Sequence, residues 1–263
     1  MTGPLDLLLP ALAAALSLMT GVWLLSLARR DASIVDVFWG LGFVLVAWLA
    51  HWLAPAETPR KTLVAGLVTL WGVRLALYIL WRNWGQGEDF RYRAMRERHG
   101  RQFAWRSLFV VFWLQGVILW IVSSPILQAV ASPRPAALEW LDMLGVAVFA
   151  AGILFESVGD LQLARFKADP AHRGKVLQRG LWRYTRHPNY FGDALVWWGL
   201  SLIALATPQS LWILVSPLLM TFLLMRVSGV ALLEKTLRDT KPAYRDYVSR
   251  TNTFFPWFPR RRG

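Results

Sequence analysis

Apolar residues run along this chain in long blocks without polar alternation, and charged residues gather in the gaps between them. Blocks of membrane-crossing length lie near residues 5–27, 34–53, 63–80, 108–130, 138–159, 191–206 and 211–227. Each is close to the ~20 residues a helix needs to cross a bilayer. In hydrocarbon every backbone amide must be satisfied within its own segment, so the blocks predict helices, and no period-two pattern competes. The expected fold class is all-α: a polytopic membrane protein of seven transmembrane helices, forming a single domain over residues 1–263. The first block, Leu5–Leu27, is longer than the hydrophobic part of a secretory signal and has no basic segment before it, so it is expected to be a span.

The gaps orient the chain. Arg82 to Arg106 holds seven Lys and Arg residues, Arg165 to Arg186 another seven, and the tail after Glu234 eight. The alternate gaps hold only Arg60 with Lys61, and Arg134. Basic residues favour the cytoplasmic side, so loops 82–106 and 161–190 and the tail 228–263 are expected there, with the N-terminus outside.

Composition narrows the classes. Hydrophobic residues make up 56% of the chain and 16 residues are Trp, well above globular usage. A formal charge of +13 would suggest nucleic acid on a soluble domain, but the topological bias of basic loops accounts for much of it. The rest is left for an anionic ligand. With no cysteine, disulfides, Cys-ligated zinc and thiol nucleophiles are excluded, and His51, His99, His172 and His187 show no metal spacing.

Ionisable residues inside or at the edge of spans point to chemistry, because each is costly in hydrocarbon and ordinarily faces a pocket or a partner. They are Asp36, Arg74, Glu156, Asp160, Asp193 and Arg226. Asp36 is either functional or a first-turn acid favoured by the helix dipole. Arg74 stands four residues before Tyr78, so the two share a helical face. Snorkelling to the interface is the structural alternative for Arg74, and a stronger one for Arg226 near the end of the last span. Glu156 and Asp160 put two carboxylates on one face, where Arg165 or Lys167 offer simple pairing. The stretch Glu88–Arg98 alternates acid and base and reads as an amphipathic surface helix.

Just before the sixth block, Gln178 to Asp193 crowds guanidinium, amide and phenol groups around a turn. Arg forks onto phosphate oxygens and aromatic planes stack on bases, so this density suggests a nucleotide held against a membrane pocket.

The same residues carry a likeness. Gly180-Leu-Trp-Arg-Tyr-Thr-Arg-His-Pro-Asn-Tyr-Phe-Gly-Asp193 resembles the signature of the steroid 5α-reductases and their bacterial membrane relatives. Its Arg-His-Pro-x-Tyr-x-Gly core is shared with isoprenylcysteine methyltransferases. Three further matches favour the reductase branch: Trp71-Gly-Val-Arg-Leu-Ala-Leu-Tyr78, Glu88-Asp-Phe-Arg-Tyr92, and Val227 to Lys235 followed by Tyr244-Arg-Asp-Tyr247 and Phe254-Phe-Pro-Trp257. The resemblance implies NADPH as cofactor, contacted by Arg74, Glu156, Asp160, Lys167, Lys175, Tyr184, Asn189 and Arg226, with Asp193 as a supporting acid. It also implies a steroid or other lipophilic enone entering from the lipid side, with Trp39, Trp71 and Tyr78 in its pocket. Membrane lipids are the other expected partners, and nucleic acid is not one. The chain is expected to be a monomer of a bacterial inner membrane, its active site opening to the cytoplasm.

Two positions depart from the family pattern. The Gln-Glu pair of the second span is matched by Val35-Asp36, and the catalytic Tyr of the third falls on Trp71, which has no phenolic proton. Asp36 or Tyr92 then polarises the carbonyl. Hydride leaves nicotinamide C4 for the β-carbon of a Δ4-3-ketone, and charge collects on the carbonyl oxygen. A second reading is a membrane methyltransferase using S-adenosylmethionine on an isoprenylcysteine or a phospholipid. That cofactor lacks a pyrophosphate and needs fewer Arg and Lys, and those enzymes carry paired Glu where Glu234-Lys235 stands. A third is a non-catalytic sterol or lipid transporter or scaffold, which would show paired helix breaks that this sequence lacks.

Overall fold

The computed structural model describes residues 3–208, 210–227, 234 and 242–260, and among these there is no strand. Helix α1 (Leu8–Arg29) follows a 3-10 turn and ends where Arg30 adopts a left-handed conformation, φ 52°. Helix α2 (Ile34–Leu53) coincides with its predicted block, and the Ala54-Pro55 step after it cannot continue a helix. Helix α3 (Pro59–Asn83) starts ahead of its apolar block because Pro59 opens it and the Thr58 hydroxyl accepts from the Lys61 amide.

The stretch Glu88–Arg98, expected to be an amphipathic surface helix, is helical from Phe90. Asp89 caps α4 (Phe90–His99) by accepting from the Arg91 amide at 2.9 Å. The helix resumes as α5 (Phe103–Ser107), passes through a π-helical stretch Leu108–Trp113, and continues as α6 (Leu114–Val122). Ser123 and Pro125 then separate α7 (Ser124–Ala131), every residue of which is buried. Helix α8 (Trp140–Ala168) extends its predicted span into the basic region, so the expected loop 161–190 is helical through Ala168. Helices α9 (Pro188–Leu205), α10 (Val215–Phe222, continued by a π-helical turn Leu223–Val227) and α11 (Pro242–Arg250) complete the described chain.

Among the described residues, five stretches are long and apolar enough to cross a membrane: Pro4–Arg29, Ile34–Leu53, Pro59–Asn83, Phe90–Val122 and Trp140–Ala168. Leu211–Val227 is a shorter apolar helix. Helix α9 falls outside the five because Asn189, Tyr190 and Asp193 make its opening turns polar. Large apolar side chains such as Leu9, Trp52, Leu70, Leu77, Leu154 and Phe222 are exposed. In water each would cost about 25 cal/mol per Å² of apolar surface, a cost that lipid tails remove. The chain is a multi-pass membrane protein.

It folds as two compact units, Met1–Asp142 with Ile203–Val215 and Met143–Leu202 with Ser216–Gly263. In the first, α2 and α3 meet backbone to backbone: a Cβ on Gly40 or on Gly72 would stand 2.5 Å from the other's carbonyl oxygen. Phe43, Val46, Val64, Val68 and Trp71 are buried around that contact. Fully buried Arg60 forks onto Asp142 with both N–O distances 2.7 Å and donates to the carbonyls of Pro135 and Ala137. Lys61 donates to Ala54 O and Glu57. The cations at the start of α3 are thus held in structural pairs.

In the second unit α8 and α9 run antiparallel along a glycine seam. A Cβ on Gly152 would lie 2.7 Å from Gly192 O, one on Gly199 2.7 Å from Gly145 O, and one on Gly159 3.1 Å from Asn189 N. Glycines seven residues apart on each helix keep returning to the same face, and their missing side chains let the backbones touch. The seam fixes which residues of α8 and α9 are neighbours.

Candidate functional site

The glycine seam brings together residues that the sequence reading assigned to a nucleotide. Glu156 and Asp160 are buried on α8, and Asn189, at the start of α9, donates from Nδ2 to Asp160 Oδ1 at 3.1 Å. Asn189 Oδ1 accepts from the Tyr190 amide at 3.1 Å, which fixes the side chain between the two helices. Asp193 is half-buried one turn further along α9. Lys167, near the end of α8, and Lys175, in the following loop, are exposed, as is Arg226 in the π-helical turn. The Tyr184 ring meets Phe258 edge-on at 5.9 Å, and Tyr184 O accepts from Trp257 N at 2.9 Å.

Arg186 and His187 turn inward. Arg186 is buried: Nε donates to Glu234 Oε1 at 2.7 Å, Nη1 to the carbonyls of Val248 and Thr251, and Nη2 to Thr253 Oγ1 at 2.6 Å. Its amide donates to Asn252 O at 2.9 Å. His187 Nε2 stands 3.3 Å from Glu234 Oε1, which requires the tautomer with its proton on Nε2. Tyr247 Oη donates to Trp182 O. The motif loop is therefore clamped by the tail, and Arg186 is withdrawn from the set of guanidiniums expected to meet phosphate. Burial lowers the His187 pKa. Burial would raise that of Glu234, but the bonds from His187 and Arg186 and the guanidinium charge outweigh it and hold the carboxyl at about 2.

The first unit holds the two residues expected to act on the carbonyl. Asp36, in the first turn of α2, accepts from Tyr92 Oη at 2.8 Å on Oδ1 and from Arg91 Nη2 at 2.8 Å on Oδ2. Gln115 Nε2 donates to Tyr92 Oη at 3.3 Å. Arg91 is steered by Asp89, which accepts from its Nε at 2.9 Å. Glu88 ties the start of α4 to the start of α2, accepting from Ala32 N at 2.8 Å and from both Nε and Nη2 of Arg96. Burial would raise the pKa of Glu88 and Asp89. The bonds from Arg96 and Ala32 on one, and from Arg91 on the other, overcome it and hold both below the ordinary range.

The remaining expected residues lie on α2 and α3. The Arg74 guanidinium stands 5.5 Å over the Tyr78 ring, which also faces Arg82 at 5.8 Å. Trp39 meets Phe43 edge-on at 5.4 Å. Trp71 is fully buried with Phe43 5.7 Å away, so it is part of the α2–α3 core.

Against known families, the profile of DUF1295, described as a protein of unknown function, matches residues 22–251. The chain belongs to the DUF1295 family. It is also 25% identical to an uncharacterized protein of Schizosaccharomyces pombe, over 89% of this chain and 75% of that relative. No solved structure matches it.

Three features of this DUF1295 chain escaped the reading of the sequence. Gln115 sits in a span and carries no charge, so nothing in its type distinguished it. The Arg186–Glu234 pair joins residues 48 apart, visible only when the tail folds back. The glycine repeats of α8 and α9 were legible, had the seven-residue interval been sought. Most of Val227 to Lys235, one of the matches to the reductases, lies outside the described residues.

Proposed function

We propose that this DUF1295 chain reduces the Δ4 double bond of a 3-oxo-steroid or similar lipid enone with NADPH, as its resemblance to the steroid 5α-reductases implies. The observation that carries the reading is the Tyr92 hydroxyl bonded to Asp36, with Arg91 and Gln115 around it. Reduction of an enone needs a proton donor beside an oxygen that gains charge; methyl transfer to a carboxylate needs none. Without substrate the Tyr92 hydroxyl directs its one proton at Asp36; with the enone bound that proton turns to the oxygen gaining charge, and Arg91 balances the Asp36 carboxylate. Gln115 keeps a second N–H for the substrate oxygen.

The donors of the second unit fit NADPH chemically. Asp160 and Glu156 suit ribose hydroxyls, the Asn189 amide suits a hydrogen-bonding edge, and Lys167, Lys175 and Arg226 suit phosphates. Tyr184 in the same unit offers a stacking surface for a base. When bound, NADPH supplies the hydride. We further propose seven crossings with the N-terminus outside and the C-terminus in the cytoplasm, in keeping with the basic gaps.

The test uses purified chain in detergent with NADPH and a Δ4-3-ketosteroid, following loss of reduced-nicotinamide absorbance while S-adenosylmethionine binding is measured in parallel. Stoichiometric formation of the saturated ketone is expected. Binding of S-adenosylmethionine without affinity for NADPH would turn the reading to methyl transfer.

A further inference from the structure

The second unit contains a cavity of 420 Å³ lined by Gln178, Arg179, Gly180, Arg183, Arg250 and Thr251 among others. None of its arginines belongs to the set that the resemblance assigns to NADPH. Two separate segments build it, and each is fixed. Gly180 turns the first at φ 61°, where a Cβ would meet the Gln162 side chain at 2.4 Å, and Gln162 Oε1 accepts from the Leu181 amide at 3.0 Å. The second is held against the first by Arg186 N to Asn252 O at 2.9 Å and by Tyr247 Oη to Trp182 O.

The charge around the cavity is unbalanced. Arg250 is paired with Asp246 and also donates to Gln178 Oε1 at 3.4 Å. Arg179 and Arg183 have no carboxylate partner among the described residues, and both are exposed. Arg183 lies 6.0 Å from the centre of the Tyr184 ring. Guanidinium groups left without counter-charge around a concave site favour an anion, and several forks on one site favour a group with several charged oxygens over a carboxylate that a single fork satisfies. We propose that this cavity binds a phosphate group, with Arg179, Arg183 and Arg250 as its donors. The phosphate comes from an anionic lipid headgroup, a nucleotide or a soluble phosphate.

The experiment titrates inorganic phosphate into full-length chain in non-ionic detergent and phosphate-free buffer, for wild type, Arg179→Gln/Arg183→Gln and Gln178→Glu. Saturable binding by the wild type is expected, weakened roughly tenfold or more in both variants, because each loses donors or gains a like charge. The unliganded melting temperature of the double variant stays at the wild-type value, since it removes no ion pair. Competition by phosphatidylglycerol but not phosphatidylcholine assigns the site to a lipid headgroup, and competition by NADPH but not NADH assigns it to the 2′-phosphate. No effect of either leaves it to soluble phosphate. Absence of phosphate binding by the wild type, or equal affinity in all three proteins, overturns the proposal. Phosphate binding without NADPH affinity keeps this site and removes the reductase reading.

Discussion

Tyr92 and Asp36 are 56 positions apart, and their hydrogen bond is the contact on which the proposed chemistry turns. Tyr92→Phe keeps the ring and removes the proton, so enone reduction should fall by about 10²-fold or more while NADPH affinity stays unchanged. Steady-state rates beside a cofactor titration check this, and an unchanged rate would assign the proton elsewhere. Asn189→Ala acts on the other half of the reading: it removes the amide beside Asp160 and should weaken NADPH binding about tenfold with little change in substrate affinity. Arg186→Ala tests the clamp. It leaves Glu234 buried without its guanidinium, a loss of about 3–5 kcal/mol by analogy with other broken buried pairs, read as a lower melting temperature.

The same cluster gives the molecule an acid response. Glu234 has a folded value of about 2 against 4.5 ordinarily, so its stabilisation is present above 4.5 and is lost as pH falls toward 2. His187 is also lowered, from 6.5, so the unfolded chain takes up a proton first as pH drops below 6.5. Both act in one direction, and the melting temperature should decline in steps on acidification. Glu234→Gln should lose the lower step.

At the scale of elements, helix contacts depend on glycine where backbones touch. Gly192→Ala would set a Cβ 2.4 Å from Glu156 N, with backbone on both sides and no flexible side chain to yield. Gly21 and Gly66 have nothing within 4 Å of the same position. Gly192→Ala should therefore destabilise the chain clearly, whereas Gly66→Ala should be neutral or gain up to about 1 kcal/mol from helix propensity. Thermal unfolding of both in detergent separates the cases. The element boundaries show where sequence reading reaches. The α2 block was readable to the residue because a proline step and an early acid bound it. The start of α4 was read two residues early, at Glu88, since alternating charges mark a surface helix without marking its first turn, and the cap from Asp89 is a matter of geometry.

For the whole molecule, the arrangement of crossings can be tested directly because the chain has no cysteine. Single exposed positions, Arg134→Cys in the α7–α8 connection and Ser249→Cys on α11, report on the two sides with a membrane-impermeant maleimide. Arg134→Cys should label in intact cells and Ser249→Cys only after permeabilisation. The reverse pattern would invert the orientation.

That the chain is helical and built for a membrane was legible in its residues alone, because hydrocarbon obliges each apolar segment to satisfy its own amides and composition announces such segments. The sequence also marked Asp36, Glu156 and Asp160 as ionisable groups in costly places. Their partners were set by packing. Tyr92 on Asp36, Glu234 on Arg186 and the arginines drawn to one cavity are meetings of residues far apart in the chain, set by glycine seams and a folded-back tail whose packing no local pattern encodes.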